Sequence, residues 1–152
     1  MNSRRIAWVT DNLSVGAFAS PERVRWLVDE GVTDILNVSD ARSLAEAHAA
    51  GFRSVVFVPV ADCVPIMEET LEDCVTALDT MFARPGARVF VHCMAGQNRS
   101  PTIVWLYLLR LGWGEAAARE MVVANAADAI PGHPQLITPT LVDIARNWPR
   151  GA

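Results

Sequence analysis

Nine consecutive residues, His92-Cys93-Met94-Ala95-Gly96-Gln97-Asn98-Arg99-Ser100, constrain this chain more than anything else in it. They join the apolar run Val89-Phe90-Val91 to a second apolar run, Ile103 to Leu109, that reads as a helix. A strand that turns into a helix over so short a span leaves the first amide hydrogens of the helix unpaired and aimed back at the turn, where the helix dipole also favours negative charge. The turn is therefore an oxyanion nest. Gly96 allows a close backbone approach, Pro101 suits a first helical turn because its missing N–H would have no partner there, and the Arg99 fork can hold two oxygens at once. A cysteine in such a field is expected to be a thiolate nucleophile at neutral pH, and that cysteine is Cys93. Ser100 is placed for its hydroxyl to reach the sulfur, and His92 to support the loop from behind through backbone carbonyls.

The order His-Cys, two residues, Gly, two residues, Arg, Ser resembles the signature of the cysteine-dependent protein tyrosine phosphatases, and within them the small dual-specificity branch. In a chain of this length an accidental match is on the order of one in ten thousand. The likeness extends further. Gly31-Val32-Thr33-Asp34-Ile35-Leu36-Asn37-Val38 is similar to the family's buried strand, Leu13-Ser14-Val15-Gly16 to its opening strand and turn, and Val58-Pro59-Val60-Ala61-Asp62 to its general-acid loop. The resemblance implies that Cys93 attacks phosphorus, that Asp62, 31 residues earlier, protonates the leaving oxygen, and that the Arg99 guanidinium and the loop amides of Met94, Ala95, Gly96, Gln97, Asn98 and Arg99 hold the equatorial oxygens. It further implies that Ser100 eases departure of the sulfur from a phosphocysteine, with no metal or cofactor. Glu68, Glu69, Glu72 and Asp73 compete poorly with Asp62 because they fall on the solvated face of a helical pattern.

The same resemblance implies phosphorylated proteins or small phosphomonoesters as partners. No extended phosphotyrosine-recognition loop precedes residue 50, and the single tyrosine, Tyr107, follows the site, so the pocket is expected to be shallow and to admit phosphoserine and phosphothreonine as well as phosphotyrosine. Other readings are a phosphatase of a lipid, RNA-end or glycan phosphate, a rhodanese-like sulfurtransferase, and a non-catalytic phosphate-binding module. Asn98 departs from the serine common before the arginine in the small members, and Gln135 is not assigned the water-positioning role of the larger tyrosine-specific enzymes.

Alternation of strand-like and helical patterns predicts an α/β sandwich: one domain over 1–152, with a largely parallel central sheet flanked by helices and the phosphate loop between a central strand and a helix. Ile6–Val9 and Leu13–Val15 read as short edge strands, Asp34–Val38, Ser54–Val58 and Val89–Val91 as further strands. Helices are expected from Ser20 to about Glu30, about Arg42 to Ala49, roughly Ile66 to Ala83, about Pro101 to Leu111, Glu115 to about Ala126 and about Thr138 to Asn147.

A net charge of −4 argues against nucleic acid as the main partner, since backbone-phosphate binders carry a basic excess. No apolar run approaches the roughly 20 residues of a membrane helix and no signal-like segment follows Arg4-Arg5, so a cytoplasmic monomer without membrane attachment is expected. Three widely spaced cysteines suit neither a disulfide framework nor a zinc site. Cys74 reads as a core thiol, and Cys63 as a loop residue or, less readily, as a redox partner of Cys93. His48 reads as a surface residue, His133 as a turn residue, and the five tryptophans as packing anchors.

Overall fold

A computed structural model describes residues 6–43 and 51–149. Strands β1 (Ala7–Trp8), β2 (Leu13–Gly16), β3 (Asp34–Asn37), β4 (Ser54–Phe57) and β5 (Val89–His92) form one sheet in the order β1-β2-β5-β3-β4. Only the β1–β2 pair is antiparallel. The helices are α1 (Pro21–Asp29), α2 (Glu68–Phe82), α3 (Arg99–Arg110), α4 (Glu115–Asn125) and α5 (Pro139–Arg146).

Alternation of side chains along each strand splits the core between the two faces of the sheet. Ile35 and Phe90 point to the face covered by α1, where they pack with Leu27, Val32 and Phe52. Leu36, Val89 and Val91 point to the other, where α2 to α5 bring Leu71, Leu78, Ile103, Trp105 and Leu141. The expected sandwich with β5 at its centre is thus present.

Three expectations need correction. Leu13–Val15 is not an edge strand: β2 lies between β1 and β5, in register from Leu13 with Val89 to Gly16 with His92, and Leu13, Ser14 and Val15 are all buried. Four residues are too few for periodicity to distinguish a strand covered on both faces from one at a rim. Helix α3 begins at Arg99, two residues before Pro101, so the signature arginine and serine form its first turn. Helix α2 begins after Ile66, which is buried and donates its amide to the Leu136 carbonyl (2.8 Å). Most of the helical stretch read over 42–49, and His48, lie outside the described residues. Among the tryptophans Trp105 is fully buried, whereas Trp113 is exposed.

Helix α1 follows its sequence signals: the Ser20 hydroxyl accepts from Arg23 N (3.3 Å), Pro21 sits in the first turn, and Gly31 leaves the helix at φ +82°. A polar cluster around the buried Asp34 ties the start of the parallel pair β3–β4. Asp34 accepts from Thr33 Oγ1 (2.6 Å), Ser54 Oγ (2.6 Å) and Arg53 Nη2 (3.1 Å). Burial pushes its carboxyl upward, but the donors Ser54, Thr33 and Arg53 outweigh it and hold the group below the usual carboxylate range. A pKa lowered by folding gives stability that is present above the unfolded-state value of about 3.9 and is lost as pH falls through the folded value. Asp34→Ala should cost about 1–3 kcal/mol at neutral pH. Urea titrations from pH 7 down to pH 3 should show a shallower loss of stability in the variant, and equal slopes would remove this account.

Candidate active site

The loop is built where β5 ends between two parallel neighbours, since the crevice beyond the carboxyl ends of parallel strands is where α/β sheets bind ligands. Its conformation rests on β2. The Gly16 carbonyl accepts from the Ser100 hydroxyl (3.2 Å) and Cys93 N (3.4 Å), and Phe18 N donates to the Met94 carbonyl (3.0 Å). Gly96 adopts φ +76°, and a Cβ there would lie 2.9 Å from the Gly16 carbonyl carbon and 3.0 Å from Ala17 N, so only glycine fits.

Cys93 is 2% exposed, at the floor of this loop, and its sulfur stands 3.2 Å from Ser100 Oγ. His92 is buried behind it. The His92 ring meets the Cys93 carbonyl through Nδ1 (3.1 Å), stacks on Phe90 and takes Phe18 edge-on, both with ring centroids at 5.6 Å. Asn98 precedes α3 without making a side-chain cap, so the helix end faces the loop with no cap of its own. Around this floor Met94, Ala95 and Gln97 are exposed.

Arg99 is nearly buried. Both of its acceptors among the described residues meet one nitrogen: Nη1 donates to the Val60 carbonyl (3.1 Å) and lies 3.5 Å from Asp40 Oδ1. Nε and Nη2 are the two nitrogens left for an oxyanion. Asp62 is two residues beyond the carbonyl that Arg99 grips, exposed, with its Oδ1 accepting from Cys63 N (3.0 Å). The fold thus brings Cys93, Arg99, Ser100 and His92 together, and sets Asp62 on the adjoining loop with a local turn contact. Two residues carry no local signal: Asp40, in the turn after β3, and Gly16, whose carbonyl accepts from Cys93 N and the Ser100 hydroxyl alike. The signal for Asp40 was the sheet order, which no local pattern carries.

The connector after α4 ties both loops. Ile130 N donates to the Gln97 carbonyl (2.7 Å), His133 N to Thr102 Oγ1 (3.2 Å), and Ile66 N, on the far side, to Leu136 O. His133 is a turn residue whose Nδ1 accepts from Gln135 N (3.1 Å). Cys63 is an exposed free thiol at φ +63°, and Cys74 is a buried one that desolvation holds protonated. Among the described residues no group of three or more His, Cys, Asp or Glu could hold a metal ion, and no helix is long and apolar enough to cross a membrane.

A cysteine beside a hydroxyl at the open mouth of a helix, with a half-engaged arginine one residue before that hydroxyl, defines a cysteine-based phosphatase loop on an α/β sheet. Residues 20–134 match the family described as dual specificity phosphatase, catalytic domain, and the chain belongs to that family. Dual specificity protein phosphatase 1 of Arabidopsis thaliana is 34% identical over 102 residues, which is 67% of this chain and half the length of that relative. Human DUSP28 superposes with a TM-score of 0.73 at 25% identity, covering 93% of this chain and 92% of that one. PTPMT1, solved in complex with PI(5)P, superposes at 0.70 with 22% identity, over 91% and 90% of the two chains.

Proposed function

We propose that the protein hydrolyses phosphate monoesters through a phosphocysteine, with phosphotyrosine, phosphoserine and phosphothreonine in proteins as substrates. The observation that carries this reading is the approach of the Cys93 sulfur to Ser100 at the mouth of α3, with two guanidinium nitrogens of Arg99 uncommitted among the described residues.

Cys93 thiolate attacks phosphorus as the ester P–O bond breaks, and Asp62 gives its proton to the departing oxygen. Arg99 Nε and Nη2 and the amides of residues 94–99 hold the equatorial oxygens, on which charge spreads in the transition state. Water then attacks phosphorus, the Asp62 carboxylate takes its proton, the P–S bond breaks, and the Ser100 hydroxyl receives the returning thiolate. His92 holds the Cys93 carbonyl and so the direction of the sulfur.

Turnover of an aryl phosphate that is abolished by vanadate is the primary test; thiosulfate-to-cyanide transfer, or phosphopeptide binding without turnover, would replace the reading. Asp62→Asn should slow kcat about 100-fold for an alkyl phosphate and less for an aryl phosphate, whose leaving group needs little protonation. Equal effects on both would take the proton-donor role from Asp62. The PI(5)P in the PTPMT1 crystal favours one second reading, a lipid phosphate as substrate.

A further inference from the structure

We propose that Asp40 sets the substrate class, admitting esters that are neutral or cationic next to a single phosphate and turning away those that carry a second phosphate there. The inference rests on the phosphatase reading and narrows it.

The carboxylate is placed by buried side chains. Asn37 and Ser39 are both wholly buried and build the turn that follows β3: Asn37 Oδ1 accepts from Ser39 N (2.9 Å), Asn37 Nδ2 donates to the Ala41 carbonyl (2.9 Å), and Ala41 N donates to Ser39 Oγ (3.2 Å). This fixes the backbone of Asp40 at the edge of the site. Its side chain is 72% exposed yet only 3.5 Å from Arg99 Nη1, so it stands in solvent beside the group that grips phosphate.

All thirteen cationic residues of the chain are arginines, with no long lysine to sweep the rim. Arg42, two residues further on, lies over the Phe57 ring (4.8 Å), and Arg23 donates to the Phe18 carbonyl (3.1 Å) and lies over Trp26 (5.9 Å). As the proton donor of the proposed reaction Asp62 brings no charge to the reacting complex, and the exposed side chains of the two loops and the connector include the apolar Met94, Val64 and Ile130. A leaving group seated over Arg99 therefore meets apolar surface and negative charge.

The size of the effect follows from Coulomb's law. At ~6 Å in water one like-charge pair costs about a threefold factor, so a dianionic second phosphate facing Asp40 is disfavoured by about tenfold, and less as salt is added. The reacting phosphate does not discriminate, because every substrate brings it.

The test compares kcat/KM for an aryl monophosphate with that for a short-chain, water-soluble phosphoinositide bisphosphate, in the unaltered protein, Asp40→Asn and Asp40→Glu. Asp40→Asn should raise the bisphosphate-to-monophosphate ratio about tenfold at low salt, with the gain shrinking towards 0.5 M salt, and Asp40→Glu should keep the original ratio. A ratio unchanged in Asp40→Asn, or activity on both substrates falling equally, overturns the proposal; the second outcome would make Asp40 an orienting contact for Arg99 alone. If the unaltered protein turns over neither ester, the phosphatase reading fails separately. Equilibrium binding of the same two ligands to the unaltered protein and Asp40→Asn then reads the same ratio, and no shift there sinks the proposal as well.

Discussion

Cys93→Ser is expected to remove turnover of an aryl phosphate, by about 10⁴-fold or more, while the protein still binds the ester. The asymmetry follows from the separation of tasks in the loop. In the proposed mechanism the sulfur supplies the nucleophile, whereas the oxyanion is held by backbone amides and by Arg99, none of which the substitution touches. Serine places a poor nucleophile at the same point, beside the same Ser100 hydroxyl and with the same Gly16 carbonyl accepting from the backbone. Stopped assays for released phosphate and calorimetry with vanadate-free phosphopeptide read the two tasks separately. Appreciable turnover by Cys93→Ser would rule out a covalent intermediate on this residue, and loss of binding along with turnover would mean that the loop itself had changed.

Arg99→Lys should reduce kcat/KM by about 10²- to 10³-fold despite conserving the charge. Arg99 uses one nitrogen for the Val60 carbonyl and for Asp40, which in the proposed mechanism leaves an edge for the substrate. An ammonium is a single point with no second edge, so it serves either the structural acceptors or the phosphate. The loss should fall on kcat as well as KM, because a planar fork matches the equatorial oxygens best when charge has spread over them. A fall confined to KM would indicate uniform binding and no transition-state role; near-normal kinetics would remove Arg99 from the phosphate altogether.

How far the sequence could be read depended on whether the determining contacts were local. The strand, loop and helix from Val89 to Leu109 were legible because each carries its own signal: an apolar run, a glycine and arginine at fixed spacing, and a helical repeat. The loop's spacing also singled out Cys93, Arg99, Ser100 and His92, which the fold brings together. Helix starts were off by two residues at Pro101 and Ile66, since a proline is tolerated anywhere in a first turn and an apolar residue just outside a helix continues its stripe. The interior position of β2, the Gly16 carbonyl and Asp40 were illegible for a different reason. Each acts across a sheet neighbour 50 to 90 residues away, and strand order is fixed by the fold as a whole. Asp62 lies between these cases: its place on the loop was read from resemblance, and its side chain currently serves the turn at Cys63.

The short span from Ile130 to Leu136 holds the rim of the anion nest at one end and the foot of the acid loop at the other, by single amide hydrogen bonds. A graft, tag or extra residue placed there would therefore change the spacing of the two loops on which the proposed chemistry depends, although it touched neither Cys93 nor Asp62. Anyone re-engineering this scaffold should treat that stretch as a measuring rod and make insertions elsewhere.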